Sequence, residues 1–74
     1  MSSSKNRFVV VSDVGLRDGI GVEIYRGNEL IIELFRDDTE KTRTITVFKE
    51  SISLELMEES IEIFKKEIPW AFID

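Results

Sequence analysis

The sequence contains no cysteine and no histidine, and it has a single proline among its 74 residues. Without cysteine the chain has neither a disulfide framework nor a thiolate metal site, and without histidine it has no imidazole ligand and no near-neutral general base. Its serine and threonine hydroxyls have only carboxylates and lysines to activate them, so the sequence indicates no nucleophile. We therefore expect a protein that is not an enzyme and that binds no metal or cofactor.

Long apolar runs are also missing. Residues 1–6 are polar and rich in serine, and no hydrophobic segment of the length needed for a signal peptide or a membrane span follows them. A chain of this size has room for one modest core. We expect residues 1–6 to be a flexible tail, residues 7–74 to form a single domain, and the protein to be cytoplasmic.

The charge is acidic and unevenly distributed. The formal net charge is −5, with eight acids and eight bases in residues 1–49 but seven acids and two bases in residues 50–74. The acidic excess therefore lies entirely in the C-terminal third of the chain.

Four segments have the patterns of β-strands, namely residues 8–11, 21–26, 29–36 and 43–49. Gly27 and Asn28 tolerate the positive φ angles of a tight hairpin, whereas the two glycines of residues 15–19 predict a connecting turn. A strict two-residue hairpin would mix charged and apolar side chains on both faces, so we expect a longer loop or a bulge. That register places Val22, Ile24, Leu30, Ile32 and Leu34 on one face and Glu23, Tyr25, Ile31, Glu33 and Phe35 on the other.

Residues 53–69 have the pattern of a helix. Apolar side chains recur at spacings of three and four and predict a core-facing stripe; they are Leu54, Met57, Ile61, Phe64 and Ile68. Ser53 is the expected N-cap and Pro69 the expected stop. Trp70, Phe72 and Ile73 follow as an apolar tail, which either folds back over the helix flank or meets a partner subunit.

These patterns predict an α+β fold, a four-stranded antiparallel β-meander followed by one C-terminal α-helix that packs on one sheet face. A single helix cannot cover both faces, so the second face stays open. Its apolar side chains are the candidate interface, through which we expect the protein to pair with itself as a homodimer; they are Tyr25, Ile31, Phe35 and Phe48. The leading functional hypothesis is a small, non-catalytic protein-interaction module.

An alternative hypothesis uses the acidic helix. Its glutamates could steer the protein onto a basic partner, as in small acidic inhibitors or immunity-type proteins; they are Glu55, Glu58, Glu59, Glu62 and Glu67. Exposed helix faces of small proteins are also commonly rich in glutamate, so the same residues fit a simple solvated surface.

Four antiparallel strands and a helix, from about Arg7 to Ile68, resemble in their order the unit of the Pur-alpha and Whirly single-strand nucleic-acid binders. The resemblance implies an open sheet face that binds bases, with Tyr25, Phe35 and Phe48 as stacking platforms. The phosphates would then meet Arg17, Arg26, Arg36, Arg43 and Lys49. Glu23 and Glu33 on the same face, together with the net negative charge, argue against a polyanionic partner.

Overall fold

A computed structural model describes residues 6–15 and 17–73, and it shows the predicted α+β architecture. The strands are β1 (Asn6–Asp13), β2 (Gly19–Arg26), β3 (Glu29–Asp37) and β4 (Thr42–Val47), and the helix is α1 (Leu54–Glu67). Because β1 begins at Asn6, only residues 1–5 of the expected tail remain, and these lie outside the described residues. The α1 helix, at 14 residues, is neither long nor apolar enough to cross a membrane, and it is the only helix in the part of the chain that the structure describes.

The strands form one antiparallel sheet in the order β1-β2-β3-β4, which is the predicted meander. Val22 pairs with Leu34 and Ile24 pairs with Ile32, so the expected register of the β2–β3 hairpin is confirmed up to Ile24. Leu30 pairs with Tyr25 and therefore shares its face, so the prediction that Leu30 lies on the core face was wrong. Gly27 has a φ of 61° in the connecting turn, a conformation that glycine adopts without steric cost.

A β-bulge in β3 changes the position of Ile31. Ile24 pairs with Ile32 but its neighbour Tyr25 pairs with Leu30, so Ile31 has no residue opposite it in β2. The extra residue carries Ile31 into the hydrophobic core cluster, where it is fully buried. The prediction that Ile31 lies on the open face was wrong, because simple alternation along the strand does not hold across a bulge.

The core lies between α1 and the central strands β2 and β3. Helix residues at spacings of four face this core, and they are Leu56, Ser60 and Phe64. Leu54 is 80 % exposed, whereas Leu56 is 6 % exposed. Phe64 and the C-cap residue Ile68 are buried as predicted, but the buried face as a whole is rotated by roughly 70° from the predicted stripe on an ideal helix.

A polar residue, Ser60, lies at the centre of the buried face. The Ser60 hydroxyl donates a 2.8 Å hydrogen bond to the Leu56 carbonyl, which satisfies the hydroxyl inside the core. The start of the helix was predicted correctly, because Ser53 Oγ accepts a 3.0 Å hydrogen bond from the Leu56 amide.

The residues after the helix fold back onto the domain. Trp70 packs edge-on against Phe64 with ring centroids 6.4 Å apart, and the Arg43 guanidinium lies 4.0 Å from the Trp70 ring centroid and 4.2 Å from that of Phe72. Nε and Nη2 of Arg43 also donate to the Trp70 carbonyl, at 3.0 and 2.7 Å. The tail therefore packs within the chain, as one of the two alternatives predicted, but it lies on the β4 side of the domain and not over the helix flank formed by Leu56 and Ile63.

A buried arginine anchors the same segment. Arg36 donates from Nη1 to the Pro69 carbonyl at 2.7 Å and from Nη2 to Asp38 Oδ2 at 3.2 Å. Its Nε lies 3.0 Å from Asp38 Oδ1 but makes no directed hydrogen bond. Asp38 Oδ1 instead accepts a 3.0 Å bond from the Ile73 amide, and this bond, with the Arg36 guanidinium, lowers the pKa of the Asp38 carboxyl.

Candidate interaction surfaces

The sheet face away from the helix is organised around Phe35, which stands directly opposite Gly21. A Cβ atom on Gly21 would lie 2.8 Å from Phe35 Cδ1 and would overlap the Leu34 carbonyl oxygen. The missing side chain therefore makes the room that the ring fills. Phe35 is buried within the single chain.

Arg17 closes this face over Phe35. Its guanidinium carbon lies 3.8 Å from the ring centroid, and Nη1 and Nη2 donate to the two carboxylate oxygens of Glu33 at 3.0 and 2.9 Å. Such a two-pronged pair, stacked on an aromatic face, holds the arginine in one position. The Glu33 hydrogen bonds are the main cause of the raised pKa of Arg17.

The loop that carries Arg17 is fixed at its other end by Asp13. Asp13 Oδ1 accepts a 2.9 Å hydrogen bond from the Gly15 amide, and Oδ2 lies 3.4 Å from Arg17 Nε. The Gly15 bond is the largest cause of the lowered pKa of Asp13. The sequence predicted only a connecting turn here, because no local pattern indicates that Arg17 pairs with Glu33 on β3.

Tyr25 is half-buried on the same face. Its hydroxyl donates a 2.8 Å hydrogen bond to Glu23 Oε1, which raises the pKa of the Tyr25 phenol, and the Arg7 guanidinium lies 4.6 Å from its ring centroid. Phe48 is 51 % exposed. The four residues of the candidate interface therefore do not form one exposed patch, since Ile31 is in the core and Phe35 is under Arg17.

The exposed apolar side chains of the sheet lie instead on its helix side, at the two edge strands. α1 covers β2 and β3. Beyond it, Phe8 and Val10 of β1 are each 42 % exposed, and Ile45 and Val47 of β4 are exposed to a similar extent. These four residues are called the edge strips below. No feature of the sequence distinguished them from core residues. Strand alternation and helix periodicity are the same whether the helix covers all four strands or only two of them.

The two edge strips differ in what lies over them. On the β1 side an open groove of about 360 Å³ runs between the strand and the helix, and Phe8, Ile24, Leu56 and Ile63 line it. On the β4 side a smaller, almost wholly apolar groove of about 200 Å³ is bordered by Trp70 of the C-terminal segment. The tail thus partly covers β4 and leaves β1 open.

The acidic face of α1 is fully solvated. All five glutamates of the candidate acidic surface are exposed, and within residues 6–15 and 17–73 none of them has an ion-pair partner. The same described residues contain no group of acidic side chains that could hold a metal ion.

Four of the five basic residues named for phosphate contact have other roles, and the fifth, Arg26, is exposed. Arg17 is paired with Glu33, Arg36 is buried against the C-terminal segment and Arg43 holds Trp70. Lys49 makes a 2.9 Å bridge to Glu29. With Phe35 buried as well, four of the five cations and one of the three aromatic rings that the resemblance implied are engaged within the chain, whereas Arg26 and Phe48 are exposed.

Comparison of the chain with protein-family models, with curated proteins and with solved structures finds no match.

Proposed function

We propose that this protein is a small, non-catalytic interaction module that pairs with a second copy of itself through its edge strips. The observation that supports the proposal is the mismatch in width between sheet and helix. α1 covers two of four strands, and the outer two carry Phe8, Val10, Ile45 and Val47 in a half-exposed state. Exposed apolar side chains next to an open strand edge are typical of association surfaces.

The open sheet face supports pairing less well than the sequence suggested. Arg17 and Glu33 cover Phe35, so a partner on that face would meet a closed ion pair rather than an aromatic patch. Separating this pair would expose a carboxylate that is only 14 % exposed and would cost its hydrogen bonds. The proposed interface is therefore on the helix side.

The test is the solution mass of the full chain by light scattering behind size exclusion, over a dilution series from high to low micromolar concentration. We expect a mass twice the 8.6 kDa of one chain that falls on dilution. A lysine at either strip, as in Val10→Lys or Val47→Lys, tests which strip is used. Leu54→Lys is the control, because Leu54 is also an apolar side chain, is more exposed than either valine and lies on the helix. A single-chain mass at every concentration contradicts the proposal.

The alternative of an acidic inhibitor of a basic partner stays a prediction. Its glutamates are exposed, as that function requires, but a solvated helix in a small acidic protein has the same composition. No described contact favours this alternative over self-pairing.

A further inference from the structure

β1 is an unguarded strand edge. It runs for eight residues, and its central segment Phe8–Ser12 contains no charge, no proline and no glycine. Proteins that keep an edge strand single usually place lysine, proline or a covering segment on it. The other edge, β4, carries Arg43 in its strand and has the C-terminal segment packed beside it. β1 carries its charged residues, Arg7 and Asp13, only near its two ends, and no segment among the described residues packs beside its free edge.

The β1 sequence is complementary to itself when two copies run antiparallel. Centred on Val10, the pairing sets Val9 opposite Val11, Phe8 opposite Ser12 and Arg7 opposite Asp13. Residues directly opposite each other share a face, so the valines meet valines and each strand end presents an arginine to a carboxylate. A shift by two residues places Asp13 opposite Val9 and loses both charge pairs.

The rest of the fold permits this arrangement. A two-fold axis through Val10, perpendicular to the sheet, would join two four-stranded sheets into one of eight strands with both helices on the same side. Because α1 lies over β2 and β3, the helix axes would be about four strand spacings apart, or roughly 19 Å. Helices in contact are 8–10 Å apart, so the two do not collide. The two grooves beside Phe8 and Leu56 then face each other across the strand junction.

We propose that the second copy docks by β1-to-β1 antiparallel strand addition in the register centred on Val10. This inference rests on the proposed function and names the strip, the partner strand and the residue pairs that it uses. About six to eight new backbone hydrogen bonds form across the junction, in addition to the apolar contacts of Phe8 and Val10 and the two Arg7–Asp13 pairs.

The absence of cysteine makes a cross-linking test direct. In the proposed register Val10 faces its own copy at a Cα separation of about 4.5–5.5 Å, which lies within the range that a disulfide spans. Val10→Cys should therefore form a covalent dimer under mild oxidation at low micromolar concentration. Ser12→Cys is the matched control, since it is also exposed on β1 but lies about 14 Å from its own copy. Equal rates for the two variants would overturn the register.

Charge reversal tests the strand ends independently. Arg7→Asp or Asp13→Arg alone turns both attractive pairs into repulsive ones, and we expect each to weaken pairing at least tenfold. An equimolar mixture of the two variants restores opposite charges at both ends, and so does the double variant, so both should pair like the parent chain. Thermal melts of the single variants check that each still folds, because Asp13 also binds the Gly15 amide.

The outcomes separate this inference from the proposed function. A parent chain that stays single at all concentrations overturns both. A parent chain that pairs, with no preferential cross-link at Val10→Cys and no rescue in the mixture, overturns the β1 register and leaves self-pairing in place. Preferential cross-linking together with rescue supports both.

Discussion

Replacing Leu56 with alanine should destabilise the domain far more than the same change at Leu54. Leu56 is 6 % exposed and Leu54 is 80 % exposed, although they are two residues apart in one helix. The Leu56 substitution removes three buried carbon groups, worth about 2.4 kcal/mol at ~0.8 kcal/mol each. Because the site borders an open groove, the cavity left behind opens to solvent and adds little. We expect a loss of about 2–3 kcal/mol.

The assay is urea unfolding followed by circular dichroism, with all variants at the same protein concentration because pairing makes the midpoint depend on concentration. In a parallel thermal scan, Leu56→Ala should lower the melting temperature by about 10–20 °C, since 1 kcal/mol corresponds to roughly 4–8 °C in a domain of this size. Leu54→Ala should change the free energy of unfolding by no more than about 0.5 kcal/mol. If Leu54→Ala proved as costly as Leu56→Ala, the helix would be rotated as the sequence pattern predicted, and the assignment of its buried face would be refuted.

Three further predictions concern the open face and the C-terminal segment. Gly21→Ala should cost about 2–3 kcal/mol in urea unfolding because its Cβ would overlap backbone and ring atoms, whereas Gly15→Ala, with its nearest atom at 3.5 Å, should be nearly neutral. Arg17→Met leaves the Glu33 carboxylate on β3 unpaired and should lower the free energy of unfolding in urea by about 1–3 kcal/mol at neutral pH. An unchanged free energy of unfolding would show that the pair does not stabilise the fold. The pKa of Asp38 is lowered in the fold, so the stability it gives is present above its ordinary value of 3.8 and is lost as the pH falls through the folded value. The emission of Trp70, the only tryptophan, should therefore shift to the red on acidification, and Asp38→Asn should show that shift already at neutral pH.

The architecture could be predicted from the sequence because each element has a strong local signal. Strand alternation, the glycine turn and the Ser53 cap all depend on residues within a few positions of one another. The hairpin register also followed from local chemistry, since the predicted register sets Glu23 opposite Glu33 and keeps both on the face away from Val22, Ile24 and Leu34.

The buried faces were harder to predict because they depend on contacts between distant segments. Leu54 and Leu56 have the same hydrophobicity, so the pattern does not show which of them is buried. Ser60 is buried because its hydroxyl donates to the Leu56 carbonyl, and a serine in this position makes the buried face of the helix look partly polar in the sequence. The bulge at Ile31 inserts one residue without any glycine or proline to mark it.

The candidate site could be predicted only in part. Arg17 is separated by 16 residues from its partner Glu33, and no spacing rule connects a loop arginine to a strand glutamate and an adjacent ring. The sequence predicted uncovered apolar surface on the face away from the helix, whereas Phe8 and Val10 are half-exposed on the helix side. It could not show which surface, because that depends on how wide the sheet is relative to the helix that lies across it.

The central claim, pairing of identical chains, is tested most directly by native mass spectrometry of an equimolar mixture of unlabelled and ¹⁵N-labelled chain. If two copies associate reversibly through one symmetric interface, three dimer masses should appear, with the mixed species twice as abundant as either pure one. A spectrum that contains only the two single-chain masses, at concentrations where the chain is folded, would contradict the claim.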